Sequence, residues 1–182
     1  MSDPTTDPAE DLFLTPDGAL VVPNGTAGRK PLCFDLRSIL KAEGRLFEVQ
    51  SVTRAKSAEL LHTYNDAWGN ARKIVATLLE HLDTAKHRIK ELQSVLILDK
   101  IPELAKAKGL KETADVREAL LYTQPDFLKL CETRDKIVAA ERHMTVKVDQ
   151  FERAYFTVQT IVKGADGHTV SAPSSPFGNT KY

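Results

Sequence analysis

The side chains best suited to nucleophilic or metal chemistry in this 182-residue chain are two cysteines and five histidines. The histidines lack the i, i+4 helix pairing and the cysteine or carboxylate spacing of a zinc site. The sequence also lacks a dinucleotide glycine loop, a Walker lysine and a Gly-x-Ser-x-Gly elbow. We therefore expect no enzymatic activity, no metal and no cofactor. The residues concerned are Cys33, Cys131, His62, His81, His87, His143 and His168.

Cys131 leaves one catalytic alternative open. It lies in the first turns of a predicted long helix, where the helix dipole lowers the pKa of a thiol. A small apolar residue packed near a helix seam fits the same position, and we favour that interpretation. Two thiols so far apart in a helical chain indicate a reduced, cytoplasmic setting. With no basic-then-apolar leader and no apolar run of about 20 residues, we expect neither a signal peptide nor a membrane span.

Charge is distributed unevenly although the whole chain has a formal net charge of zero. Residues 1–43 hold four basic and seven acidic residues, whereas residues 72–111 hold nine basic and five acidic ones. A basic track that binds phosphates is half of a single-stranded DNA site, and stacking aromatics are the other half. The only aromatics near this track are Tyr122 and Phe127, and a merely solvated helix face remains the alternative. The candidate DNA-binding residues are Lys86, Arg88, Lys90, Lys100, Lys106, Lys108 and Lys111.

Two apolar stripes with alternating steps of three and four residues must position these side chains. Such a repeat keeps one narrow face of a helix apolar and fits a helix packed lengthwise on another. We therefore predict an all-α fold, a long antiparallel, coiled-coil-like helical hairpin with short helices at its tip and disordered termini. The first stripe runs Leu61, Tyr64, Trp68, Ala71, Val75, Leu78, Leu82, Ala85, Ile89, Leu92, Leu96, and the second Phe127, Leu130, Arg134, Ile137, Glu141, Met144, Val148, Phe151, Tyr155, Val158, Val162.

Charged residues interrupt the second stripe at Arg134 and Glu141. A charge at a seam position costs stability and is often kept because it fixes register or oligomeric state. We predict that these two residues serve a homo-oligomer, with solvent exposure near the hairpin tip as the alternative. In an antiparallel hairpin the aromatic residues of both stripes also fall at one end, away from the turn, which favours an aromatic layer in the core.

Helix-breaking and turn-forming residues divide the chain into three parts. Residues 1–33 are predicted to be a flexible acidic segment with a short β-hairpin at Pro16-Asp17-Gly18, or alternatively a docking segment. Residues 34–163 are predicted to form the helical-hairpin domain. Within it, Gly69 is the weak point of the first long helix, and Gly109 ends a short helix over 100–108. Residues 164–182 are rich in Gly, Ser and Pro and are predicted to be a disordered tail.

The second half of the chain joins a short helix, a polar step with Pro and Asp, and a long amphipathic helix. The stretch is Glu112-Thr-Ala-Asp-Val-Arg-Glu-Ala-Leu-Leu-Tyr-Thr-Gln-Pro-Asp-Phe-Leu-Lys-Leu-Cys131, and the second arm ends Phe151-Glu-Arg-Ala-Tyr-Phe-Thr-Val-Gln-Thr-Ile-Val162. With the preceding basic helix, the segment 89–162 resembles the helical hairpin of phage recombination mediators of the UvsY type. The resemblance implies a non-enzymatic factor that forms rings, binds single-stranded DNA and helps to load a recombinase onto strands coated by a single-strand-binding protein.

Two functions remain open from the sequence. The first is a homo-oligomeric accessory factor of recombination or replication that binds single-stranded DNA and works with a recombinase or a single-strand-binding protein. The second is a coiled-coil scaffold or interaction protein that captures a protein partner without nucleic acid. In the second case the acidic N-terminal segment, with its short apolar runs Leu12–Leu14 and Leu20–Val22, is the expected binding element.

Overall fold

The computed structural model describes residues 13–26 and 28–165, and it confirms the mostly all-α fold. Two long helices pack lengthwise on each other, and a three-stranded antiparallel sheet in the order β1-β2-β3 precedes them in the chain. The elements are β1 Phe13–Leu14, β2 Ala19–Val22, β3 Leu32–Asp35, α1 Arg37–Glu43, a 3-10 helix Leu46–Ser51, α2 Arg54–Val95, a π-helical turn Leu96–Lys100, α3 Ile101–Ala107, α4 Ala114–Leu121 and α5 Pro125–Ala165.

The two long helices, α2 and α5, form the predicted antiparallel hairpin. At one end the Trp68 ring lies 6.1 Å from that of Tyr155 and 6.2 Å from that of Phe156. At the other end Ile89 shares a buried cluster with Phe127 and Cys131. The aromatic residues therefore gather at the end away from the turn, as the stripes predict. Gly69 lies inside α2 without interrupting it.

The buried seam is rotated slightly from the predicted stripes. On α2 the fully buried positions include Leu60, Ala67 and Ile74, whereas the predicted Leu61, Trp68 and Val75 lie half-buried beside them. The spacing of three and four residues is the same in both sets. Periodicity therefore predicts the repeat, but it does not decide which of two adjacent residues lies at the centre of the buried face. The centre of the buried face lies at the small residues, because alanines let the two helices approach closely.

The sheet packs into the same core as the long helices. Leu20 and Val22 of β2 are 1% exposed and belong to the main buried cluster with α1, α2 and α5. The predicted hairpin at Pro16-Asp17-Gly18 joins β1 to β2, and Gly18 adopts a φ of +76° that the turn requires. The third strand, β3, is an element that the sequence analysis did not predict. Residues 1–12 and 166–182, most of the predicted flexible termini, lie outside the described residues.

The loop between β2 and β3 rests directly on α2. Gly25 is buried, and a Cβ atom at this position would lie 2.3 Å from the carbonyl oxygen of His81 and 3.4 Å from the amide nitrogen of Ala85. Only glycine fits so close to the backbone of a helix. This contact fixes the loop against the side of α2, a turn before the predicted basic residues begin.

The hairpin tip has its own buried cluster, distinct from the main one. Its members come from the end of α2, the π-helical turn, α3, α4 and the start of α5. Pro102 has no N–H to donate to the carbonyl of Leu98, and the π-helical turn occurs where an α-helical ladder would need that bond. At the end of α3, Gly109 with φ of +63° and the bond from Leu110 N–H to the Ala105 carbonyl (2.9 Å) form a Schellman motif. The predicted helix end at Gly109 is confirmed.

Candidate nucleic-acid interface at the hairpin tip

All seven predicted DNA-binding residues lie in the half of the molecule that contains the tip. Lys86, Arg88 and Lys90 lie on the last turns of α2, Lys100 ends the π-helical turn, and the other three follow in and after α3. Arg88 is half-buried, and the remaining six are exposed. The positions of these seven residues thus allow contact with phosphate.

The basic residues of α2 point to two different sides. Lys86 and Lys90 are four residues apart and share a face, whereas Arg88 lies about 160° away at roughly 100° per residue. Arg88 lines a groove of about 630 Å³ between α2, α5 and the loop at residues 23–26 and 28–31. Arg29 and Lys129 also line this groove, but Glu91 and Asp126 balance most of their charge. Lys86, Arg88 and Lys90 therefore do not form one patch.

The lysines around α3 form a more compact group. Lys106, Lys108 and Lys111 surround the Schellman turn, all exposed, together with exposed Leu110. Among the described residues none of these three lysines makes an ion pair, and neither do Lys90 and Lys100. Within the part of the chain that the structure describes, Lys86 is the one member of the seven with an ion-pair partner, Asp83, at 3.6 Å between Nζ and Oδ1. Asp99 and Glu103, near Lys106 on the exposed face, reduce the local positive potential.

A cleft of about 490 Å³ lies beside the tip, between the end of α2, α4 and the start of α5. Lys86 and Lys90 lead along α2 toward this cleft, since Gln93 and Ile97 follow them on the same face at steps of three and four residues. The sequence analysis did not assign Gln93 or Arg117 to a site. The cleft is lined by Ile89, Gln93, Ile97, Ala114, Arg117, Glu118, Leu121, Tyr122, Phe127, Cys131 and Arg134.

The two predicted register residues lie at the edges of the seam. Cys131 and Ala140 are buried, which moves Arg134 and Glu141 to its half-buried margins. The Arg134 guanidinium pairs with Asp135 at 2.8 Å, and the Glu141 carboxylate accepts a hydrogen bond of 2.9 Å from the Thr145 hydroxyl. Both charges thus have partners on their own helix. Their role in an oligomer stays a prediction.

Cys131 lies on the floor of the cleft as a buried thiol. Burial raises the pKa of Cys131, and the nearby Arg134 charge opposes that rise without cancelling it. A thiol whose pKa is raised stays protonated at neutral pH and is a weak nucleophile. The favoured interpretation of a packed apolar cysteine therefore agrees with its burial. Among the described residues no group of three or more His, Cys, Asp or Glu side chains is arranged to hold a metal ion.

Comparison with family models, with curated proteins and with solved structures finds no match for this chain. In the part of the chain that the structure describes, no helix has both the length and the hydrophobicity that crossing a membrane requires.

Proposed function

We propose that this protein is a non-enzymatic accessory factor that binds single-stranded DNA in recombination or replication. The observation that supports this best is the group of exposed lysines at the tip, Lys106, Lys108 and Lys111, which make no ion pair among the described residues. Lysine is a flexible point charge that binds phosphate without demanding one geometry. The resemblance to UvsY-type mediators supports the same assignment.

The expected binding is moderate and depends on salt. Acidic residues are interspersed with the lysines, so we expect about three to five phosphates to be neutralised. Each neutralised phosphate contributes about −0.7 to the slope of log K against log salt for a single strand. A slope of roughly −2 to −3.5 follows. As a mediator, the protein would act as a homo-oligomer, in a reduced cytoplasm, beside a recombinase and a single-strand-binding protein.

Fluorescence anisotropy of a labelled oligo-dT at low and physiological salt tests the proposal. The variant Lys106→Glu/Lys108→Glu/Lys111→Glu should bind at least tenfold more weakly at low salt, with a flatter salt slope. The matched control reverses three exposed lysines elsewhere, Lys41, Lys73 and Lys163, and therefore changes net charge equally. Equal losses in both variants would mean that only net charge matters, and no binding by the unmodified protein at low salt would refute the proposal.

A second function, protein capture without nucleic acid, is favoured by a different observation. Large apolar side chains are exposed around the tip, with Leu98 at 76% and Val95 at 54%. Such side chains near one another are typical of interfaces between proteins. Sedimentation velocity on the unmodified protein and on Leu98→Ser, combined with the DNA-binding assay, separates the cases. Self-association that Leu98→Ser abolishes, together with absent DNA binding, would favour the scaffold.

A further inference from the structure

The cleft beside the tip combines an apolar floor with a charged rim. Ile97, Leu121 and Phe127 supply apolar surface. The charged residues of the lining are Arg117, Arg134 and Glu118, two positive charges against one negative charge. Its volume of about 490 Å³ falls within the range of small-ligand sites in proteins.

Tyr122 lines the cleft and is 53% exposed as a residue. Its edge-on contact with Phe127, at 5.6 Å between ring centroids and 80° between planes, leaves much of the tyrosine ring uncovered. The turn that carries Tyr122 is well held. The Thr123 hydroxyl donates to the Leu120 carbonyl at 2.7 Å, and the buried Gln124 amide donates to the same carbonyl at 3.2 Å. An exposed aromatic ring on a fixed turn loses little entropy when a flat ligand stacks on it.

The two arginines at the cleft keep donors in reserve. Arg117 donates Nε–H to Glu112 at 2.8 Å, whereas Arg134 approaches Asp135 with both Nε and Nη2 at 2.8 Å. A guanidinium has five N–H donors, so each arginine still offers several to an anion at the rim. Lys86 and Lys90 extend the positive charge along α2 toward the cleft, with the amide of Gln93 between them and the apolar floor.

We propose that this cleft receives one unstacked base of single-stranded DNA, with Tyr122 as its stacking surface. Arg117 and Arg134 bind the flanking phosphates, the Gln93 amide hydrogen-bonds to the edge of the base, and Lys86 and Lys90 guide the adjoining backbone. This inference rests on the proposed function and adds to it the aromatic component of the site. It places a contact at the cleft that does not depend on charge, separate from the phosphate contacts of the α3 lysines.

The test compares Tyr122→Leu with the unmodified protein on oligo-dT and on an abasic oligonucleotide of equal length. Leucine keeps an apolar contact with Phe127 but offers no ring, so the variant should stay folded, as circular dichroism will check. We expect affinity for oligo-dT to fall roughly 5- to 150-fold with an unchanged salt slope, and affinity for the abasic strand to stay the same. Tyr122→Trp should restore binding to oligo-dT.

The matched control is Phe47→Leu, which removes a 72% exposed aromatic ring remote from the cleft and should leave affinity unchanged. Tight, salt-dependent binding by the unmodified protein that Tyr122→Leu leaves intact would overturn the base pocket alone and leave the proposed function standing. An equal loss on normal and abasic strands would also overturn it, because the contact would not involve a base. No binding by the unmodified protein would remove both proposals.

Discussion

Gly25 and Gly69 are two glycines for which the structure gives opposite expectations on substitution by alanine. At Gly25 the new Cβ would lie 2.3 Å from the His81 carbonyl oxygen, a backbone atom of α2. At Gly69 no atom of the described residues, apart from the neighbouring helix backbone, lies within 4 Å of a new Cβ. The same chemical change therefore creates a steric clash at Gly25, whereas at Gly69 it only reduces the flexibility of the backbone.

The sizes of the two effects follow from this geometry. Real Cβ contacts essentially never fall below 3.0 Å, so Gly25→Ala must displace the loop or α2 by about 0.7 Å. Overpacking against backbone costs about 2 kcal/mol or more. Gly69→Ala should stabilise the protein by about 0.5–1 kcal/mol, the helix propensity difference. For a chain of this size these values correspond to melting temperatures lower by about 4–8 °C and higher by about 1–4 °C respectively.

Urea unfolding, followed by circular dichroism at 222 nm and by the fluorescence of the single tryptophan, measures both variants. We expect midpoints to move in opposite directions with little change in the urea m-value. An unchanged midpoint for Gly25→Ala would show that the loop does not rest on α2 in solution. Destabilisation by Gly69→Ala would show that α2 is distorted or packed closely at that residue.

Two further predictions concern titration and thiol reactivity. The Arg37 side chain and its backbone N–H hydrogen-bond to Asp35 and lower the pKa of that carboxyl from 3.8 to about 2, so the stabilisation is present above pH 3.8 and is lost as pH falls toward 2. Urea midpoints measured between pH 5 and pH 2 should accordingly fall further for the unmodified protein than for Asp35→Asn, and parallel curves would contradict the pairing. In native protein, exposed Cys33 should react with a disulfide reagent well before buried Cys131, whose pKa burial raises, whereas equal rates would mean that the tip opens readily.

The sequence predicts the hairpin because its signal repeats along two long helices. A step of three and four residues over eleven positions tolerates a local error, so the charged interruptions at Arg134 and Glu141 did not hide the second helix. The centre of the seam was harder to predict. Ala67 and Ala140 are fully buried, but alanine is only weakly hydrophobic and therefore stands out little in a sequence pattern. The strand β3, Leu32–Asp35, was missed because it is too short to show a period and no turn motif marks it, whereas Pro16-Asp17-Gly18 marks the hairpin of β1 and β2.

The tip site was predictable in charge but not in shape. A count of basic residues located the seven candidates in one half of the molecule. It could not show that Arg88 is half-buried in a groove formed with the loop and α5, which depends on what packs beside that side of α2. The cleft joins residues from α2, α4 and α5, and its distant members meet only after the π-helical turn and α4 fold back. An exposed Tyr122 directly after two buried leucines is the one local signal of the cleft.

Alanines along the contact between α2 and α5 let the two helices approach closely, so the size of the side chains there influences the angle between the helices. Ala71 is completely buried in the main core between the arms, so a bulkier side chain there would alter the angle between the arms. A change of about 5° over roughly 40 Å of helix displaces the far end by about 3.5 Å. That distance is comparable to the thickness of an aromatic ring. We therefore expect a bulkier residue at Ala71 to move the walls of the cleft at the tip.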